Sequence, residues 1–149
     1  MFIGLFLIDY LSPFSFVNDL QTKVNIFLTK NWITYFDIPV KMDGAFITYE
    51  HPLKLEIVNE CNGLVLYLLL ASAYLSYPIS ILLKSYWIIF SYFIMLLFNT
   101  IRLDWIIYYS INNPQDFEFM HNTLGRYIFA IVPLILFYTF ARNQKNLQY

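Results

Sequence analysis

The sequence predicts an all-α polytopic membrane protein, with three transmembrane helices, a short N-terminal helix, an interfacial helix and a small extracytoplasmic β element. Three observations predict it. Hydrophobic residues make up 59% of the 149 positions and charged residues 13%, about half the charge fraction of a soluble domain. The apolar residues are gathered into long blocks. Three of those blocks reach about the 20 residues needed to cross a hydrocarbon core.

Residues 1–16 are apolar as far as Pro13. They lack a basic start and a small-residue cleavage site, and Asp9 interrupts them, so they are expected to form a short retained membrane helix rather than a signal peptide. In residues 17–36, Leu20, Val24, Phe27 and Leu28 recur at helical spacing with Asp19, Lys23 and Lys30 between them. That pattern predicts an amphipathic helix at the membrane surface.

Residues 37–60 hold many of the charges. Asp43-Gly44 and His51-Pro52 are turn signals. Around them Ala45, Ile47 and Tyr49, then Leu53, Leu55 and Ile57, alternate with their neighbours, which predicts short strands outside the bilayer. The expected spans follow at about 61–83, 86–109 and 121–140. Lys84-Ser85 joins the first two, and the acidic segment 110–120 joins the last two. The whole is expected to be one membrane-embedded domain over 1–149, with a helical core at 61–141.

Lys84, Arg142 and Lys145 mark the cytoplasmic ends by the positive-inside rule. The 37–60 element and the 110–120 loop then face outward. A net charge of −1 without any basic run gives no argument for nucleic acid. The one cysteine, Cys61, excludes an intramolecular disulfide, and Cys and His show no metal-ligand spacing. No metal and no cofactor are expected. Trp105, Tyr108 and Tyr109 fit an aromatic belt or a substrate groove near the outer face.

Three polar residues fall at comparable depth in this arrangement. Cys61 opens the first long helix, and lies roughly 34 Å from the Lys84 turn at the helical rise per residue. Arg102 lies roughly 25 Å from the same turn, and a long side chain covers much of the difference. His121 opens the third span. A thiolate, a neighbouring cation and a histidine together suit acyl transfer through a thioester. Each has a plainer reading when taken alone. Cys61 is then a packed small residue, Arg102 snorkels to the interface, and His121 is an interfacial cap. Asn99, one turn before Arg102, either bonds a neighbouring helix or orients Arg102. Asn62 caps the helix or helps form an oxyanion site, and Gly63 permits close backbone approach. Arg126 fits an acidic side chain, a lipid headgroup or the substrate. The same residues also suit a non-catalytic assembly subunit, or a transporter element in which Arg102 and His121 line a polar path.

The string Asn59-Glu60-Cys61-Asn62-Gly63 resembles the Cys-(Ser/Asn)-Gly signature of the exosortase/archaeosortase family. Asn99-Thr100-Ile101-Arg102 resembles that family's Asn-x-x-Arg motif, and His121-Asn122-Thr123-Leu124-Gly125 resembles its histidine motif. The Cys-Asn-Gly form and the short chain look like the small exosortase H subfamily. Typical members carry more N-terminal membrane helices, so this chain is either a minimal form or truncated at its start.

The resemblance implies an integral cysteine protease or transpeptidase of the cytoplasmic membrane, with its site facing the extracytoplasmic side. It implies Cys61 as nucleophile, His121 as general acid and base, and Arg102 as stabilising cation, with Asn62, Gly63 and Asn99 in supporting or substrate-binding roles. The implied partners are exported proteins whose C-terminal tail has a short motif, a hydrophobic helix and a basic cluster. Membrane lipids, and a lipid or glycan acceptor, complete the set.

Overall fold

The computed structural model describes residues 14–48, 54–58 and 61–147, and its chain falls into two units, Met1–Asn62 and Gly63–Tyr149. The expected N-terminal helix at 1–16 lies almost wholly outside the described residues, as does the His51-Pro52 turn.

In the first unit, helix α1 (Phe14–Tyr35) is 22 residues long, about 33 Å at the helical rise. A helix therefore occupies nearly all of the 17–36 segment. Gln21, Thr22, Asn25, Thr29 and Ile33 form a buried stripe, while Phe16, Leu20 and Phe27 are exposed. The buried stripe is mostly polar, while Asp19, Lys23 and Lys30 are exposed together with Phe16, Leu20 and Phe27.

Three strands follow, β1 (Lys41–Asp43), β2 (Phe46–Thr48) and β3 (Lys54–Glu56), in an antiparallel sheet ordered β1-β2-β3. The Asp43-Gly44 turn joins β1 to β2, and Gly44 adopts the left-handed φ of 59° that such a turn needs. Met42, Ile47 and Leu55 align across the sheet. Ile47 and Ile57 are buried, as the alternation requires, and Ile57 N–H extends the pairing to Ala45 O at 2.9 Å.

The second unit is a helical hairpin with a third helix against it. Helix α2 (Leu64–Ser76) has 13 residues, about 20 Å at the helical rise, and is too short for a bilayer core. The expected span at 61–83 is thus cut short. The cause is Pro78, whose ring drives Tyr77 into the extended conformation (φ −78°, ψ 138°) and ends the helix. The connection is Tyr77–Ser80 rather than Lys84-Ser85. Lys84 instead lies in the first turn of helix α3 (Ile81–Asn112) and donates from Nζ to the Leu75 carbonyl at 2.6 Å, satisfying an end group of α2.

Helix α3 has 32 residues, about 48 Å at the helical rise. After Asn113 come a short 3₁₀ turn (Pro114–Asp116), a π-helical turn (Phe119–Leu124) and helix α4 (Gly125–Leu147). The helical run continues through most of the 110–120 segment, where a loop is expected from the sequence. Pro133 sits inside α4 and has no N–H to offer the carbonyl of Phe129 four residues earlier.

Helices α2, α3 and α4 pack on one another around Leu70, Tyr74, Trp87, Met95, Phe129 and Phe140. Tyr74 is the hub of an aromatic cluster. Its ring meets Phe140 edge-on at 4.6 Å, and Trp87 meets Phe140 at 5.6 Å. Its hydroxyl shares a buried hydrogen bond of 2.8 Å with Ser91 Oγ.

The outer faces of α3 and α4 are apolar: Leu82 is 82% exposed, Leu134 69% and Phe93 62%. Ser91, Asn99, Thr100, Asp104 and Ser110 are buried. Such an inside-out distribution is stable when hydrocarbon rather than water is the solvent. Among the described residues two helical runs are long and apolar enough to cross a membrane, Ile81–Asn112 and Pro114–Gln144.

Candidate functional site

The nucleophile candidate, Cys61, lies one residue before the end of the first unit. Its side chain is buried, and its backbone N–H donates to Val58 O at 2.9 Å. The next residue, Asn62, is also buried and is held by α1. Its side-chain amide donates to the hydroxyl of Thr22 (3.0 Å), and to the backbone carbonyl and side-chain oxygen of Asn18. Its backbone carbonyl accepts from the Asn25 side chain at 3.2 Å. The capping reading of Asn62 is therefore corrected. The residue before α2 is Gly63, no side chain caps that helix, and the Asn62 amide is directed to α1.

In the second unit, Gly63 adopts φ +74°, a left-handed conformation that disfavours any residue with a Cβ. It also packs tightly. A Cβ there would lie 2.9 Å from two ring carbons of Phe129 and 3.4 Å from the side-chain carbon of Asn99. Gly63 is thus required both by its backbone and by its neighbours, and the reading that it permits close approach fits this packing.

Phe129 carries a second contact. The Arg102 guanidinium carbon lies 5.2 Å from the centre of its ring, a cation–π geometry. The Arg102 side chain also passes Gly125, where a Cβ would lie 3.7 Å from Cδ of Arg102 and 3.0 Å from both Ile106 Cδ1 and the Met120 carbonyl. Gly63, Asn99, Arg102, Gly125 and Phe129 are therefore linked in one packed cluster. Phe129 was not singled out from the sequence. Its only signal was its place on the helix that carries the histidine motif, among many other phenylalanines.

His121 lies on the π-helical turn, a local widening of the helix often found at functional positions. Its ring stacks on Phe117, with centroids 5.5 Å apart and planes at 16°. Nδ1 lies 3.2 Å from the Asn122 side-chain oxygen. An Nδ1–H donated to that oxygen puts the basic lone pair on Nε2. Arg102 and Arg126 are both within electrostatic reach of this ring. Among the described residues no three His, Cys, Asp or Glu side chains converge as a metal ion requires.

A family model described as Transmembrane exosortase (Exosortase_EpsH) matches residues 1–138. No curated protein and no solved structure matches the chain. The matched segment contains the Cys61, Arg102 and His121 strings and covers nearly all of the sequence, so the chain belongs to the transmembrane exosortase family.

Proposed function

We propose that this chain is a membrane-embedded cysteine protease or transpeptidase that removes the C-terminal sorting tail of exported proteins. The observation that carries the reading is the family match over residues 1–138, within which the three motif strings occur in order. Cys61 precedes Gly63 by two residues, so covalent chain length alone keeps its Cα within about 7.6 Å of the glycine that packs on Phe129 and Asn99.

The thiolate of Cys61 attacks the carbonyl at the junction between exported domain and tail. Arg102 balances the oxyanion of the tetrahedral intermediate. The C–N bond breaks, His121 protonates the departing amine, and the exported domain stays on Cys61 as a thioester. Water or the amine of a lipid or glycan acceptor then gives a proton to His121, attacks the thioester and regenerates the thiol. Asn99 and Gly63 support Arg102 through the packing of Gly63 against Phe129 and Asn99. The chain is a multi-pass protein of the cytoplasmic membrane in this reading, and the site opens to the extracytoplasmic side.

The test is the alkylation of Cys61 by a membrane-impermeant maleimide across a pH series in native-like membranes. It is combined with cleavage of a substrate carrying a motif, an apolar helix and a basic cluster. Outward labelling that responds to His121→Ala and Arg102→Ala, together with an uncleaved tail in Cys61→Ala, is the expected result. Tail cleavage that survives Cys61→Ala overturns the proposal.

A further inference from the structure

We infer that Asn25, with Thr22 and Asn18, is a positioning residue for the Cys61 segment, an inference whose catalytic meaning rests on the function just proposed. The three residues lie at positions i, i+4 and i+7, and so share one face of α1. Asn25 is wholly buried and Thr22 nearly so. The Asn25 amide donates to its own helix at Gln21 O (3.0 Å) and to Asn62 O (3.2 Å), tying the backbone after the cysteine to a regular element. Thr22 Oγ donates to Asn18 O at 3.0 Å and itself accepts from the Asn62 amide at 3.0 Å. Both ends of Asn62, its main-chain carbonyl and its side chain, are therefore held by α1.

On the other side, Cys61 N–H is held by Val58 O. The cysteine thus sits between two anchored peptide groups, although its own residue belongs to no long helix or strand. Polar side chains on a membrane protein's buried helix face carry a desolvation cost that is recovered only through such bonds. A network concentrated on one residue beside the thiol fits the fixing of that thiol better than general helix adhesion. A nucleophile displaced by about 1 Å can lose on the order of 100-fold in rate, which gives the clamp its use.

The test is native-state labelling of Cys61 with a maleimide in the full chain, reconstituted in lipid nanodiscs, for Asn25→Leu, Thr22→Val and Thr22→Ser. Thr22→Val keeps the shape and removes the hydroxyl; Thr22→Ser keeps the hydroxyl. The expected result is labelling faster by about tenfold in Asn25→Leu and Thr22→Val, the change that follows loss of a buried hydrogen bond, with the wild-type rate retained in Thr22→Ser. Helix content is followed by circular dichroism, and the milder Thr22→Val decides the matter if Asn25→Leu does not fold. Wild-type labelling in folded Thr22→Val overturns the inference, as does fast labelling in Thr22→Ser. The readout does not depend on activity. Tail cleavage by Cys61→Ala would defeat the proposed function alone, whereas wild-type labelling in Thr22→Val alongside an inactive Cys61→Ala would defeat the clamp alone.

Discussion

Gly63 rests directly on the ring of Phe129, so closely that a single added carbon would stand 2.9 Å from two ring atoms. The contact joins the start of α2 to the second turn of α4, and the same ring underlies the Arg102 guanidinium.

Gly63→Ala is expected to destabilise the protein by about 2–4 kcal/mol, from the left-handed φ and the overpacking together. Phe129→Ala removes the obstacle but not the backbone strain, so the double variant should lose less than the sum of the single variants. Chemical unfolding in detergent measures all three. Strict additivity would mean that the glycine and the ring do not press on one another.

Arg102→Lys keeps the charge and loses the flat face that lies over Phe129. A loss of about 0.5–2 kcal/mol is expected, the range of a cation–π contact. In a Phe129→Leu background the arginine and lysine forms should become nearly equal. The same unfolding assay, arranged as a double-mutant cycle, checks this.

The buried bond between Tyr74 and Ser91 makes a similar cycle. Tyr74→Phe strands the serine hydroxyl and should cost about 1–3 kcal/mol. Adding Ser91→Ala removes the stranded group and should recover part of that loss. Thermal unfolding followed by near-ultraviolet circular dichroism is the measurement.

Asp104 is 7% exposed, and neither of its carboxyl oxygens has a hydrogen-bond partner among the described residues. Asp104→Leu, of similar size, is expected to raise stability by about 1–3 kcal/mol, because it removes an unsatisfied buried polar group. A fall in the unfolding midpoint would show that the carboxyl is engaged by a partner.

Much of this was legible from residue order. The Asp43-Gly44 turn and the alternation through Ile47 and Leu55 marked the sheet, because side chains on a strand change sides at every step. The long apolar runs marked α3 and α4. The break at Tyr77 was hidden because Tyr77 and Ile79 keep the run apolar on either side of Pro78, and hydropathy does not register a lost backbone conformation. The polar stripe of α1 was missed for a related reason. The apolar face of that helix was read through Leu20 and Phe27, whereas Thr22 and Asn25 act through bonds to Asn62, 40 and 37 residues along the chain. Phe129 could not be told from other phenylalanines until its two contacts were visible.

Pro133 divides α4 into two lever arms. The C-terminal arm is locked, since Phe137 and Phe140 are wedged against Tyr74 and its neighbours. The N-terminal arm begins at Gly125 and carries Phe129, whose carbonyl is the one that the proline leaves without a helical donor. The residue on which Gly63 and Arg102 rest is therefore also the one at which Pro133 interrupts the hydrogen-bond ladder of α4.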